Sequence, residues 1–164
     1  MKVSASDPEA RLAALHRART VLVSACLVGE RCRYDGAACS SEPVLRALAG
    51  KEVVPICPEA GAGLGTPRPP VELRGGDGHA VLGGRAQAKV KDTGTDRTAS
   101  FLAGAALATR AAAAHGATVA LLKERSPSCG VDRVWVDGQL GPGSGVTAAA
   151  LQTAGLTVLS DEDL

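Results

Sequence analysis

Three cysteines occupy the same kind of place along the chain, since Cys26, Cys57 and Cys129 each follow a short apolar run. Thiolates are soft ligands that suit zinc, copper(I) and iron–sulfur clusters, so thiols in equivalent positions could form a metal site. The chain has no Cys-x-x-Cys pair, and buried cysteines that act only as small hydrophobic residues explain the spacing equally well. The remaining two cysteines, Cys32 and Cys39, do not follow such a run.

The apolar runs predict the elements that would position these thiols. The runs are short, at 21–23, 52–56 and 118–122, and they lie next to glycine-containing segments, which is typical of buried strands. In open parallel sheets, ligands bind in the crevice beyond the carboxyl ends of the strands. We therefore expect a ligand site at that edge of the sheet.

Polar residues beside two of the cysteines could supply proton transfer. Glu59 stands two positions after Cys57 and could act as a general acid or base at the same site. Ser126 and Ser128 flank a proline just before Cys129, and their hydroxyls could donate hydrogen bonds to cluster sulfurs or to a developing oxyanion. The alternatives are an exposed glutamate and an ordinary Ser/Pro/Gly turn.

Arg68 lies between prolines in the segment TPRPP, where a stiff backbone could aim its guanidinium at a polar ligand. We take Arg68 and Ser128 as candidate substrate-binding residues, with an exposed loop arginine as the alternative for Arg68. The preceding glycine-rich segment, residues 61–66, matches neither the dinucleotide fingerprint nor the phosphate-binding P-loop. The three histidines share no metal-ligand spacing.

Composition limits the function classes. The 164 residues are 45% hydrophobic but only 2% aromatic, so the core must consist of alanine, valine and leucine. Eighteen basic residues against 17 acidic ones argue against a nucleic-acid surface. The first 20 residues have no secretory h-region, and no apolar stretch is long enough to span a membrane. We therefore expect a cytoplasmic protein, in which five thiols favour metal binding or catalysis over disulfides.

Alternating strand and helix patterns predict an α/β fold with three layers: a mainly parallel, Rossmann-like sheet with helices on both faces. We expect a single domain over residues 1–164, with its core at about 20–160. The longest helical pattern covers 95–115. We also expect extended segments at 71–74, 80–82 and 88–90, a strand at 134–136, and a frayed acidic tail at 161–163.

In order along the chain, the motifs SACLVGERCRYDG, VPICPEAGAGLGTPRPPVE, LLKERSPSCG and GSGVTAAAL resemble those of the thiouracil desulfurase family. The resemblance implies a [4Fe–4S] cluster held by Cys26, Cys57 and Cys129, with Glu59 and Ser126 as the catalytic acid/base pair. It also implies that an open iron takes the sulfur of a thionated pyrimidine while water attacks the ring carbon. Cys32 and Cys39 look like additions to the family pattern, either as spectators or as alternative cluster ligands.

We derive one leading hypothesis and two alternatives. The leading hypothesis is a non-redox desulfurase that converts 2- or 4-thiouracil to uracil and sulfide, with a small thionated pyrimidine as its partner and no nucleic acid or membrane. The first alternative is a non-catalytic carrier of a cluster or of sulfide. The second is a small-molecule binder stabilised by zinc.

Overall fold

The computed structural model describes residues 7–164 and alternates strands with helices. The helices are α1 Pro8–Arg17, α2 Glu42–Leu48, α3 Pro58–Gly61, α4 Gly78–Leu82, α5 Thr98–His115 and α6 Val146–Thr153. The strands are β1 Thr20–Ser24, β2 Glu52–Ile56, β3 Val71–Arg74, β4 Gln87–Val90, β5 Val119–Leu122, β6 Arg133–Val136, β7 Gln139–Pro142 and β8 Thr157–Ser160. Two 3₁₀ turns cover Ala25–Val28 and Asp161–Asp163.

The first sheet has the strand order β2-β1-β5-β8, and all of its strands are parallel. Its central strand β1 pairs with β2 on one side and with β5 on the other, so that Val21 lies beside both Val53 and Val119. Val21, Leu22 and Val23 are completely buried, as expected for a strand covered on both faces. The carboxyl ends of β1, β2 and β5 therefore meet at one edge.

Helices cover both faces of this sheet, which confirms the predicted three-layer α/β fold. On one face, Leu15 of α1 and Val44 of α2 pack against alternate residues of β1 and β5. On the other face, α5 and α6 pack against the sheet mainly through small residues such as Ala108 and Ala148, together with Leu151. Small side chains bring these helices close to the sheet, so the core needs few aromatic residues.

The structure also contains a second sheet, which was not predicted, with mixed strand directions and the order β4-β3-β6-β7. β3 pairs antiparallel with β4 and parallel with β6, and β6 pairs antiparallel with β7. The patterns predicted strands near β3, β4 and β6 but did not indicate that they form a separate sheet. One face of this sheet packs on α4 and α5, where Phe101 and Leu73 are buried.

Two local expectations were wrong. Residues 80–82 belong to helix α4, because the Asp77 carboxylate accepts hydrogen bonds from the backbone N–H groups of His79 and Ala80 and caps a helical turn. The acidic tail is not frayed, because it forms a 3₁₀ turn with a capping box at Ser160. Asp163 in this turn also forms an ion pair with the buried Arg11 at 3.3 Å. Within residues 7–164, no helix is both long and apolar enough to cross a membrane.

Candidate functional site

Three elements of the first sheet deliver Cys26, Cys57 and Cys129 to one pocket. Cys26 lies in the 3₁₀ turn that follows β1, and Cys57 caps helix α3 directly after β2. Cys129 lies in the loop that follows β5. Because these three strands are parallel neighbours, their following loops share one edge of the sheet. Residues separated by more than 100 positions thus face a common space.

The pocket has a volume of about 470 Å³, within the usual range for small-molecule sites. It lies between the carboxyl edge of the first sheet and the second sheet, and Glu72 and Trp135 line it from the second sheet. Glu59, Arg68 and Ser126 line it beside the three cysteines, as does Cys32. Cys39 is not among the lining residues and packs in the core cluster that contains Cys26.

The buried thiols favour their neutral form. The pKa of Cys26 is raised to about 11, mainly by burial, with smaller contributions from the nearby Cys39 and Cys57 and an opposing one from Arg33. Burial also raises the pKa of Cys129, against a hydrogen bond with Ser24. The charge of a neighbouring thiol contributes to both shifts, and a bound cation would oppose it by stabilising the thiolates.

Cys32 is the neighbour of Cys57. Burial raises the pKa of Cys32 to about 12, and the charge of Cys57 and a hydrogen bond between the two side chains contribute. The Cys57 thiol also donates a hydrogen bond to the Cys32 carbonyl oxygen at 3.6 Å. Cys32, which looked like an addition to the motif in the sequence, therefore lies beside Cys57 in the same pocket.

Glu59 is held at both carboxylate oxygens. Arg68 donates from Nε to Oε1 at 3.2 Å, and Ser128 donates from Oγ to Oε2 at 3.1 Å. Only 12% of the Glu59 side chain and 6% of the Arg68 side chain are exposed. Arg68 also donates hydrogen bonds to the carbonyl oxygens of Cys32 and Gly65, at 3.0 and 2.9 Å. Arg68 thus connects its own loop to the loop of Cys32 and to helix α3, where it fixes the Glu59 carboxylate.

The two serines differ in surroundings. The Ser126 hydroxyl oxygen accepts hydrogen bonds from the backbone N–H groups of Ser128 and Cys129, at 3.1 and 3.0 Å, and Ser126 lines the pocket. Ser128 is almost fully buried, is not among the lining residues, and contacts Glu59. Ser126 therefore shapes the turn that carries Cys129, while Ser128 supports Glu59.

Glu124 is a positioning residue that sequence reasoning missed. Its side chain is buried, and Oε1 accepts hydrogen bonds from the backbone N–H groups of Val131, Asp132 and Arg133 at 2.7 to 3.1 Å. These bonds close the loop that contains Cys129. The segment Lys-Glu-Arg around Glu124 carries no signal for burial, because charged triplets of this kind are normally exposed.

Helix α6 holds the same loop from its other side. Its first N–H groups bind loop carbonyls, with Val146 donating to Pro127 at 2.9 Å and Thr147 donating to Ser128 at 2.8 Å. Gly145 makes this approach possible, because a Cβ there would lie 2.5 Å from the carbonyl carbon of Ser128. The GSGVT segment therefore positions the Cys129 loop.

Within residues 7–164, no three His, Cys, Asp or Glu side chains come together closely enough to hold one metal ion. In an iron–sulfur cluster each thiolate binds a different iron atom, so the sulfur atoms need not converge on a single ion. Three soft donors around an accessible pocket, with a fourth thiol beside them, fit a cluster of this kind better than a hard cation.

Comparisons with known proteins give consistent results. Residues 21–163 match the family model described as 2-thiouracil desulfurase. The chain is 42% identical over 147 residues to the Bacillus subtilis (strain 168) protein with the name "Uncharacterized protein YbbK", covering 88% of this chain and 97% of the relative. It is also similar to the solved structure of the [4Fe-4S]-dependent thiouracil desulfidase TudS, at 39% identity and a TM-score of 0.76, covering 90% of this chain and 93% of that one.

Proposed function

This chain belongs to the 2-thiouracil desulfurase family, and from that premise we propose that it is a [4Fe–4S]-dependent enzyme that desulfurises a thionated pyrimidine such as 2- or 4-thiouracil. Water replaces the sulfur at the ring carbon, so that thiouracil and water give uracil and hydrogen sulfide without net oxidation or reduction. The observation that carries this proposal is the meeting of Cys26, Cys57 and Cys129 in one pocket with Glu59.

Cys26, Cys57 and Cys129 would hold the cluster. When bound, the cluster supplies an iron atom with an open position and an affinity for a soft sulfur atom. Support comes from the thiol donors, from the size of the pocket, and from TudS, which is [4Fe-4S]-dependent and 39% identical. We also propose a cytoplasmic location, where a reducing environment would keep the five cysteines as thiols.

Glu59 is the proposed base. Its carboxylate lines the pocket and accepts one hydrogen bond from Arg68 and one from Ser128. A carboxylate can accept about four hydrogen bonds, so acceptor sites remain for a water molecule. A water molecule at Glu59 can therefore lose a proton to the carboxylate as its oxygen attacks the ring.

Ser126 is the proposed proton donor. Its oxygen accepts two backbone N–H bonds, which leaves the hydroxyl hydrogen for another acceptor. Because Ser126 lines the pocket, it can donate to a ring atom on which negative charge develops. Arg68 and Ser128, which the sequence indicated as substrate contacts, act in this proposal by fixing Glu59.

The test is anaerobic reconstitution of the protein with iron and sulfide, followed by incubation with 2-thiouracil. We expect equimolar uracil and sulfide, and we expect Glu59→Ala and Ser126→Ala to lower turnover while the cluster absorbance stays. Glu9→Ala is the matched control, since Glu9 is exposed on α1, outside the pocket. A protein that holds a cluster but releases no sulfide would be a carrier, and a colourless protein that retains zinc would exclude both cluster functions.

A further inference from the structure

The aromatic residues are distributed unusually. The chain contains one Phe, one Tyr and one Trp. Phe101 is buried in the core, whereas Tyr34 and Trp135 are each 44% exposed. A single exposed aromatic residue on a surface needs no explanation. Here, however, both exposed aromatic residues line the pocket that contains the three cysteines.

Strand alternation places Trp135 on the pocket side of the second sheet. Its neighbour Val134 is completely buried and belongs to the core cluster with Leu73. Adjacent residues of a strand point to opposite faces, so Trp135 projects from the other face, as does Glu72 beside Leu73. Both Trp135 and Glu72 line the pocket.

The backbone around both aromatic residues is well fixed. Trp135 lies opposite Leu140 in the β6–β7 hairpin, and β6 also pairs with β3 on its other side. Tyr34 lies in the loop after Cys32, and its carbonyl oxygen accepts a hydrogen bond from the Arg68 backbone N–H at 2.8 Å. A rigid aromatic side chain offers a large contact area at a low cost in conformational entropy.

We propose that Trp135 is the stacking platform for the pyrimidine ring of the substrate, with Tyr34 as a second aromatic contact. This inference rests on the proposed function and specifies how its site selects a substrate. A flat heteroaromatic ring presents a π face that stacks on an indole whatever its ring substituents. The pocket therefore accepts both 2- and 4-thiouracil, because the contact reads the face of the ring and not the position of its sulfur.

The kinetic test uses reconstituted protein and 2-thiouracil. Base–aromatic stacking is lost in Trp135→Ala, and we expect KM to rise about five- to 150-fold while kcat changes much less. Trp135→Phe keeps an aromatic face and should restore most of the loss in KM. Leu45→Ala is the control, because Leu45 is 52% exposed and lies outside the pocket.

A binding test does not depend on catalysis. Trp135 is the single tryptophan of the chain, so intrinsic tryptophan fluorescence reports on this position alone. Uracil, the product of the proposed reaction, serves as the probe with the full-length reconstituted protein. We expect saturable quenching of the fluorescence by uracil, and weaker quenching by an aliphatic amide such as acetamide.

The outcomes separate the two proposals. Quenching by uracil without any release of sulfide would retain the stacking site and remove the proposed activity. Sulfide release with the same KM in the parent protein and in Trp135→Ala would retain the activity and overturn the stacking site. Absence of quenching by saturating uracil would likewise overturn it.

Discussion

The hydroxyl of Ser128 donates a hydrogen bond to Oε2 of Glu59 at 3.1 Å, although 69 positions separate the two residues. This contact joins helix α3, which follows β2, to the loop after β5, and it holds the carboxylate oxygen that Arg68 does not contact. Cys57 precedes this helix directly, and Cys129 lies in this loop. The proposed base and two of the proposed cluster ligands are therefore held by the same pair of segments.

Ser128→Ala should reduce kcat without removing the cluster. Hydrogen bonds to charged groups contribute about 1.5–3 kcal/mol, so a loss of about tenfold or more in kcat is expected if the bond fixes Glu59 in the transition state. Ser128→Thr keeps a hydroxyl and should recover part of the loss. Steady-state rates of sulfide release, compared at equal cluster absorbance, provide the measurement. Parent-like turnover of the alanine variant would show that this contact has no catalytic importance.

Arg68→Lys should be defective as well, because a lysine ammonium cannot reproduce the hydrogen bonds of the guanidinium to Glu59 and to two backbone carbonyls. We expect Arg68→Ala to lose more activity than Arg68→Lys, and both to keep the fold. Arg46→Ala is the control, since Arg46 forms an exposed ion pair with Glu42 on α2. Circular dichroism separates loss of the fold from loss of activity.

The five cysteines should divide into two groups. Replacement of Cys26, Cys57 or Cys129 by serine should abolish the cluster absorbance after reconstitution, because a hard hydroxyl replaces a soft thiolate. Cys32→Ser and Cys39→Ser should keep it. Iron and sulfide content per chain provides the measurement. Cluster loss in Cys32→Ser alone would mean that the thiol beside Cys57 is a ligand, and the ligand set would have to be revised.

Glu124→Ala should destabilise the cluster-free protein by about 3–4 kcal/mol, since it leaves several buried backbone N–H groups without an acceptor. Glu124→Gln retains an amide oxygen in the same place and should cost less. Urea denaturation of both variants gives the difference. Equal losses for the two variants would show that the charge of Glu124 matters more than its geometry.

The cluster-free protein should lose stability between about pH 9 and pH 11. The pKa of Cys26 is about 11 in the folded protein against an ordinary value of 9.0, so in this interval the unfolded chain releases a proton that the folded chain keeps. Stability therefore falls as pH rises, by on the order of 2 kcal/mol for this group. Urea denaturation at several pH values should show a smaller decline for Cys26→Ala than for the parent.

Much of the first sheet was predictable from short apolar runs. Buried parallel strands such as β1 need apolar residues on both faces, and that requirement leaves a clear signal in residues 21–23. The second sheet left a weaker signal, because β3 and β6 bury only one of their two faces in the core. Helix α4 was missed because the Asp77 cap, and not the apolar pattern of residues 80–82, decides its conformation.

The candidate site was predictable as a set of residues but not as a network of contacts. The cysteine motifs indicated where thiols follow strands, yet the Arg68–Glu59–Ser128 contacts join distant segments and leave no pattern in any one of them. The burial of Glu124 was hidden for the same reason, since its partners are backbone groups that every residue possesses. Tertiary hydrogen bonds to the main chain carry no sequence signature.

The final 3₁₀ turn is linked, directly or through Arg11, to residues on both sides of Cys129 in the chain. Asp161 accepts a hydrogen bond from the backbone N–H of Glu124 at 2.8 Å, and Asp163 pairs with Arg11, which also binds Asp132. Removal of the last four residues would take away the acceptor of the Glu124 N–H group and one partner of Arg11. The loop that contains Cys129 would then be held less firmly, although none of the four residues lines the pocket. A chain shortened in this way should therefore hold the proposed cluster less firmly while its fold is still intact.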